Sequence, residues 1–399
     1  MKNYLKMELK TLLSSVKNRY IIIIVLLLGL FYTFEVAPKY DPIEKVNLTQ
    51  TKMALADRQE FLEQVQLDEG THPLVFFATE IFPEWNQLDI ERIDSFSKRD
   101  YQKYAEETSK WYEFTDNIYN AKITEDLRYP IGYYTLNNYF AHYDGHYASK
   151  REAVKYKALA RSEVPLSVNV FEERTALQTL VRESSVLLPL VIIISTVLLS
   201  ADVVVKDFRH QSLAAGYPLL PMERILSKLI AVLFGFLLTI LALLPVFFIL
   251  SIKYGVGSLK LPVMIYNNNY LNDGAFHTMT IAKYLLVFGS LLGLIVFIIF
   301  FSIVLLSQVL PYEGLNIIAP ICLFLLEPVY FRRGIGEYFP VQWLPSTFAK
   351  IGDIVTGHAN YLYVTQSLNV QQMVLVLGLL LSVLLVSSYL LSRRMGRFI

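Results

Sequence analysis

The sequence is poor in cysteine: Cys322 is the only one in 399 residues. A single thiol forms no intramolecular disulfide, so any part facing an oxidising compartment must fold without such bridges. Cys322 lies in an apolar run and reads as a small packing residue. The motifs of a catalytic engine are missing as well. No G-x-x-x-x-G-K-[ST] occurs, so the chain has no phosphate-cradling loop and no ATPase of its own. No G-x-G-x-x-G follows a strand, no H-E-x-x-H or paired CxxC offers those zinc sets, and no G-x-S-x-G supplies a nucleophile elbow. His142 and His146 form the one close histidine pair. Asp144-Gly145 between them is a turn signal, so loop residues are expected there. Charge is scarce too, at 18% of residues with a net of +1, so the total says nothing about an acidic partner, and no nucleic acid is expected as one.

What is present is apolar: 54% of residues are hydrophobic, and they come in blocks. Blocks of this length point to membrane spans and not to a larger soluble core. Six are read from the sequence, at 20–36, 183–204, 225–252, 281–310, 315–331 and 372–391. The first has a long basic lead and no Ala-x-Ala cleavage pattern, so it is expected to stay as an anchor. Residues 1–19 carry Lys2, Lys6, Lys10, Lys17 and Arg19 against Glu8, with Leu5, Leu9, Leu12, Leu13 and Val16 at helical spacing. That pattern predicts an amphipathic helix in the membrane interface, or a basic flank that only sets topology.

Residues 37–182 form a domain-sized insert between the first two spans. It is acidic by about six charges and predicted to be mostly helical, with tyrosine-rich loops and room for a strand pair near Ile131–Phe140. Residues 253–280 read as a polar loop with Asn267-Asn268-Asn269 and Asn272-Asp273-Gly274. Residues 332–371 read as a re-entrant or interfacial segment. The fold class expected is an all-α polytopic membrane protein with a large, mostly helical extracellular domain.

Six spans put both termini on one face, together with the polar island at 205–224. The N-terminal segment nets about +4, the island through Lys228 about +2 and the tail about +3, so this face is expected to be cytoplasmic. Arg332 and Arg333 fall on the other face and oppose the bias. Glu327, next to Pro328 in the fifth span, is a costly carboxylate in lipid. It reads either as a pathway lining or as an interface residue paired with Arg332 or Arg333.

The island runs from Asp207 through Arg209, His210 and Gly216 to Pro221-x-x-Arg224-x-x-x-Lys228. With six spans, a basic interfacial helix and a short fifth span, this layout resembles the membrane subunit of an ABC exporter of the type-2 permease family. Gln211 stands where that family often has glycine. The resemblance covers residues 1–36 and 183–399. It implies two permease subunits, identical or related, in a plasma membrane, with separate ATPase subunits below that carry ATP and magnesium. This chain would bind no cofactor and catalyse nothing. The island would be a coupling helix seated on an ATPase through Asp207, Arg209, His210, Gly216, Pro221, Arg224 and Lys228. The cargo would be amphipathic, a peptide or lipid. The rival readings are a ligand-binding membrane sensor or immunity protein without pumping, and a membrane enzyme built on Glu327 or His142.

Overall fold

A computed structural model gives the fold. It describes residues 1–43, 45–121, 128–134, 139–210, 216–217, 219–267, 274–333, 336–337 and 340–394. The chain divides into two compact units, one of Met1–Tyr40, Leu180–Lys253 and Tyr284–Ile399, the other of Asp41–Thr179 and Tyr254–Lys283.

In the first unit, five helices are long and apolar enough to cross a membrane: Val16–Lys39, Leu187–Arg209, Pro221–Tyr254, Ile281–Val309 and Val370–Ser392. The chain is therefore a multi-pass membrane protein by composition and length. The second and fourth of these are 67% and 61% buried, against 33%, 28% and 22% for the others, so they form the centre of the unit. The outer helices keep apolar stripes exposed at helical spacing, such as Leu237, Leu241, Leu244 and Phe248 on one and Leu375, Leu379, Val383 and Val386 on another. Such stripes suit lipid contact. Gly29 lets the first helix approach the third closely, because a Cβ there would lie 2.6 Å from Val246 Cγ2.

The segment expected as a fifth span, 315–331, is shorter than that reading. Glu313–Leu325 forms a 13-residue helix, the chain breaks at Leu326, and Glu327–Tyr330 adds one turn. At 1.5 Å per residue the helix is about 20 Å long, short of a hydrocarbon core of about 30 Å. Pro328 explains the stop: it has no N–H to continue the ladder and clashes with the preceding turn. Cys322, on this helix, is exposed and not packed as expected.

Two ends of this unit can be recognised from its contacts. At one, Tyr32 donates to Glu183 at 2.7 Å, Ser184 meets the Tyr284 hydroxyl, and the Ser184 carbonyl accepts from Gly352 N at 3.1 Å. At the other, Asn316 Nδ2 donates to the Ala201 carbonyl and to Ser307 Oγ, each at 2.7 Å. The short helix starts at this second end, and Glu327 just past it pairs with Lys350, two residues before Gly352.

The second unit is built on four helices, Leu48–Gln64, Pro73–Ser97, Tyr101–Asn120 and Ala141–Ala160. Their core is aromatic: the Tyr156 ring stacks on Tyr112 and on Phe171, with centroids 5.7 and 5.6 Å apart. The mostly helical reading of this region holds, but the unit also recruits residues expected to be a loop. Strand β1 (Pro262–Asn267) pairs antiparallel with strand β2 (Ala275–Thr280), Pro262 opposite Thr280 and Asn267 opposite Ala275. Val263, Met264, Ile265 and Tyr266 are all buried, so the hairpin is held by packing; Tyr147 seats its ring 5.0 Å from both Tyr266 and Phe276. Residues 268–273, which include much of the asparagine-rich loop, lie outside the described residues.

The His142–His146 stretch is helical, not a loop. Asp144 falls in the first helical turn, where a carboxylate favours the helix dipole, and the Tyr129 ring lies so close to Gly145 that a Cβ there would be 2.0 Å from it. Glycine here serves close packing and not a turn. Of the strand pair considered near Ile131–Phe140, Ile131–Tyr133 is a single 3-10 turn, and 135–138 lie outside the described residues.

Candidate functional site

The N-terminal helix, Lys2–Ser14, ends because Ser15 turns extended (ψ 121°). The Ser15 side chain then accepts from Asn18 N and caps the first span, while Asn18 Nδ2 satisfies the Leu12 carbonyl at 3.1 Å. Of the expected apolar stripe, Leu12 is buried and Leu5 and Leu9 are half-buried. Leu13 and Val16 are exposed, and the buried line is Tyr4, Glu8 and Leu12, one turn apart. An acid at the centre of a buried face needs a partner.

Glu8 finds two. Lys228 Nζ donates to Glu8 Oε1 at 2.8 Å and Lys206 Nζ to Glu8 Oε2 at 2.6 Å. Lys228 also donates to Asp207 Oδ1 at 3.0 Å and to the Val203 carbonyl at 2.7 Å, so its three protons are all used. The Tyr4 hydroxyl donates to Asp207 Oδ2 at 3.3 Å, with the Tyr217 ring edge-on 5.3 Å away. Side-chain exposure is 1% for both Glu8 and Lys228, 9% for Asp207 and 23% for Lys206. Two carboxylates and two ammoniums give a neutral cluster, which is how buried charge is tolerated. Burial pushes the Glu8 carboxyl up, but Lys228 and then Lys206 outweigh it and hold it below the ordinary value. The Tyr4 phenol is pushed well above its usual range, first by burial and then by Asp207 and Glu8. A second, more exposed set lies on the same segments: Lys17 pairs with Asp202 at 2.7 Å and Glu313 at 3.7 Å, and Arg209 reaches Glu313 at 3.4 Å.

The island residues thus separate into two groups. Asp207 and Lys228 meet inside the protein. Arg224 and Lys228, read from the resemblance as seats for an ATPase, both turn inward: Arg224 is buried and donates to the Tyr217 carbonyl at 2.9 Å. The reason is that the helix starts at Pro221, one turn before the expected 225, with proline at a first-turn position and Glu223 Oε2 accepting from Leu220 N at 3.0 Å. Arg209, His210 and Gly216 stay exposed. Of the island, Val205–Arg209 is a five-residue helix, and Gln211, whose turn distinguishes this chain from the family pattern, lies outside the described residues with 212–215 and Pro218. Sequence reasoning missed Tyr4, Glu8 and Lys206. The one available sign was a lone acid placed four residues from Tyr4 and from Leu12 on a basic helix.

Glu327 is buried, and its partners are not Arg332 or Arg333. Lys350 Nζ lies 2.9 Å away and the Tyr363 hydroxyl donates to it at 2.8 Å. Beyond Pro328, which is exposed, the chain becomes extended at Phe331–Arg332, and Arg333 is drawn to the Tyr361 hydroxyl at 3.0 Å. Among the described residues no group of three or more His, Cys, Asp or Glu is placed to hold a metal ion. His146 Nδ1 instead lies 3.0 Å from Asp116.

The ion cluster contains no group set up for bond making. Lys228 has all three donors satisfied, and the cluster fixes three segments distant in sequence to one another: the N-terminal helix, the end of the second span and the start of the third. Compared with protein-family models, curated proteins and solved structures, the chain matches none.

Proposed function

We propose that the chain is the membrane subunit of an ATP-driven exporter, resembling the type-2 ABC permeases, with ATP hydrolysis carried by separate ATPase subunits. The short Glu313–Leu325 helix then completes six crossings, with both termini and the island on the cytoplasmic face of the plasma membrane. Asp207 and Lys228, the acid and the closing lysine of the island pattern, are in direct contact, and this observation carries the reading. A force applied to the exposed Arg209–His210 surface passes through Asp207 into the helix that begins at Pro221, and through Glu8 into the N-terminal helix. Such a linkage is what a coupling element needs: a rigid path from a docked partner to the spans. The cargo in this reading is amphipathic, and two permease subunits enclose its path.

The test is purification of the intact chain from the cells that make it, followed by ATPase assay and transport in proteoliposomes. A co-purified ATPase whose activity is lost with Arg209→Glu supports the proposal. That residue is exposed and outside the buried cluster, so the variant should fold. A chain that comes without ATPase activity, and moves no cargo with ATP supplied, would overturn it.

A further inference from the structure

The second unit is acidic overall, yet it gathers positive charge in one groove. Lys157 and Arg161, at the end of the Ala141–Ala160 helix and just beyond it, face Lys260 and His277 from the hairpin segment across a space of about 560 Å³. Pro262 and Met279 form an apolar part of its wall, and among the described residues no carboxylate lines it. The buried and half-buried cations Arg58, Arg92, Arg151, Lys155 and Arg174 of this unit are matched to acids: Arg58 and Arg92 to Asp89, Arg151 to Glu152 and Glu173, Lys155 to Glu152, and Arg174 to Glu172. In the groove Lys157 has an exposed pair with Glu113 at 3.2 Å. Arg161 and Lys260 are exposed and have no acidic partner among the described residues.

Arg161 and Lys260, sharing one groove without acidic partners among the described residues, raise the local potential, and a concave wall focuses it. Arg161 offers a planar fork suited to a phosphate or carboxylate, and Lys260 a point charge. An apolar wall beside this positive rim fits a ligand with both characters. We propose that the groove binds the anionic headgroup of an amphiphile, a phosphoryl group attached to a short apolar body. The site lies wholly within the second unit and does not depend on the permease reading.

The test uses the full chain in nanodiscs of phosphatidylcholine, titrated calorimetrically with dihexanoyl phosphatidylglycerol below its micelle concentration. Saturable binding is expected, and Arg161→Glu/Lys260→Glu should weaken it by roughly tenfold or more, since two cationic contacts become repulsive. Lys45→Glu/Lys52→Glu makes the same change in net charge at exposed positions that do not line the groove and should leave binding unchanged. Glycerol phosphate should bind at least several-fold more weakly than the lipid. Nanodiscs doped with long-chain phosphatidylglycerol identify the source: competition supports a bilayer lipid in the groove, and its absence with the soluble probe still bound supports an amphiphile delivered free. No saturable binding, equal binding by glycerol phosphate, or equal loss in both double variants would overturn the proposal.

Discussion

Replacing Glu8 by glutamine keeps the shape of the buried cluster and removes one of its two negative charges. Lys228, at 1% exposure, then keeps Asp207 at 3.0 Å and the Val203 carbonyl at 2.7 Å but loses a carboxylate at 2.8 Å. Lys206, at 23% exposure, can turn toward water. Removing one partner of a buried ion pair costs about 3–5 kcal/mol, and because Lys228 retains a second carboxylate, the lower end, about 3 kcal/mol, applies. For a unit of this size 1 kcal/mol moves the unfolding midpoint by about 2–4 °C, so a fall of about 6–12 °C is expected in thermal unfolding of the detergent-purified chain. Lys228→Gln leaves Glu8 with Lys206 as its one cation and Asp207 with only the Tyr4 hydroxyl, and should cost a similar amount. The double variant leaves no uncompensated lysine at the centre, so the cycle should show a coupling above about 1 kcal/mol. A midpoint within about 2 °C of wild type for Glu8→Gln, or an additive cycle, would refute the argument that the cluster ties the N-terminal helix to the spans.

Other outcomes follow from the same geometry. Because Lys228 and Lys206 outweigh burial and hold the Glu8 carboxyl low, its stabilisation is fully present above about pH 4.3, the ordinary glutamate value, and is lost as pH falls through the folded value. Amide protection over Lys2–Ser14, taken relative to the intrinsic exchange rate at each pH, should therefore fall on acidification through that window in wild type, with a smaller change in Glu8→Gln. Gly29→Leu should push the first helix off Val246 and cost about 1–3 kcal/mol, read as a lowered unfolding midpoint. Gly145→Ala should displace the Tyr129 ring and destabilise the second unit by a similar amount, visible as faster proteolysis at that unit and not in the spans. Glu327→Gln should cost only about 1–2 kcal/mol, since Lys350 is exposed enough to return to water and Tyr363 keeps an acceptor.

The spans were legible because a long apolar run has few other uses, and the helix ends fell within a turn or so of the expected positions. The count was harder: Leu315–Phe331 is apolar enough to read as a crossing, but Pro328 ends its regular helix early. The strand pair was hidden by Asn267-Asn268-Asn269 and Asn272-Asp273-Gly274, which suggested an open loop, although Val263-Met264-Ile265-Tyr266 carries strand-forming residues. At the site, Asp207 and Lys228 could be picked out one by one, but their direction could not. Whether a charge at a span boundary faces a partner or its own protein depends on what sits opposite. Here that is Glu8, nearly 200 residues earlier in the chain than Lys206. Composition counts Glu8 as one acid among basic residues, and only the fold gives it a place.

The interleaving of the second unit has a consequence for how the protein is made. Its helices are complete once Thr179 has been synthesised, but β1 and β2 come only after Leu180–Lys253 has followed. At roughly 5–20 residues per second, the bed around Tyr147 waits several seconds without its cover. Two spans must be threaded during that interval, so final closure of this unit reports that the second and third helices have been laid down. A fragment cut at residue 182 would carry the uncovered surface permanently, and handling by chaperones would be expected for it where the full chain needs none.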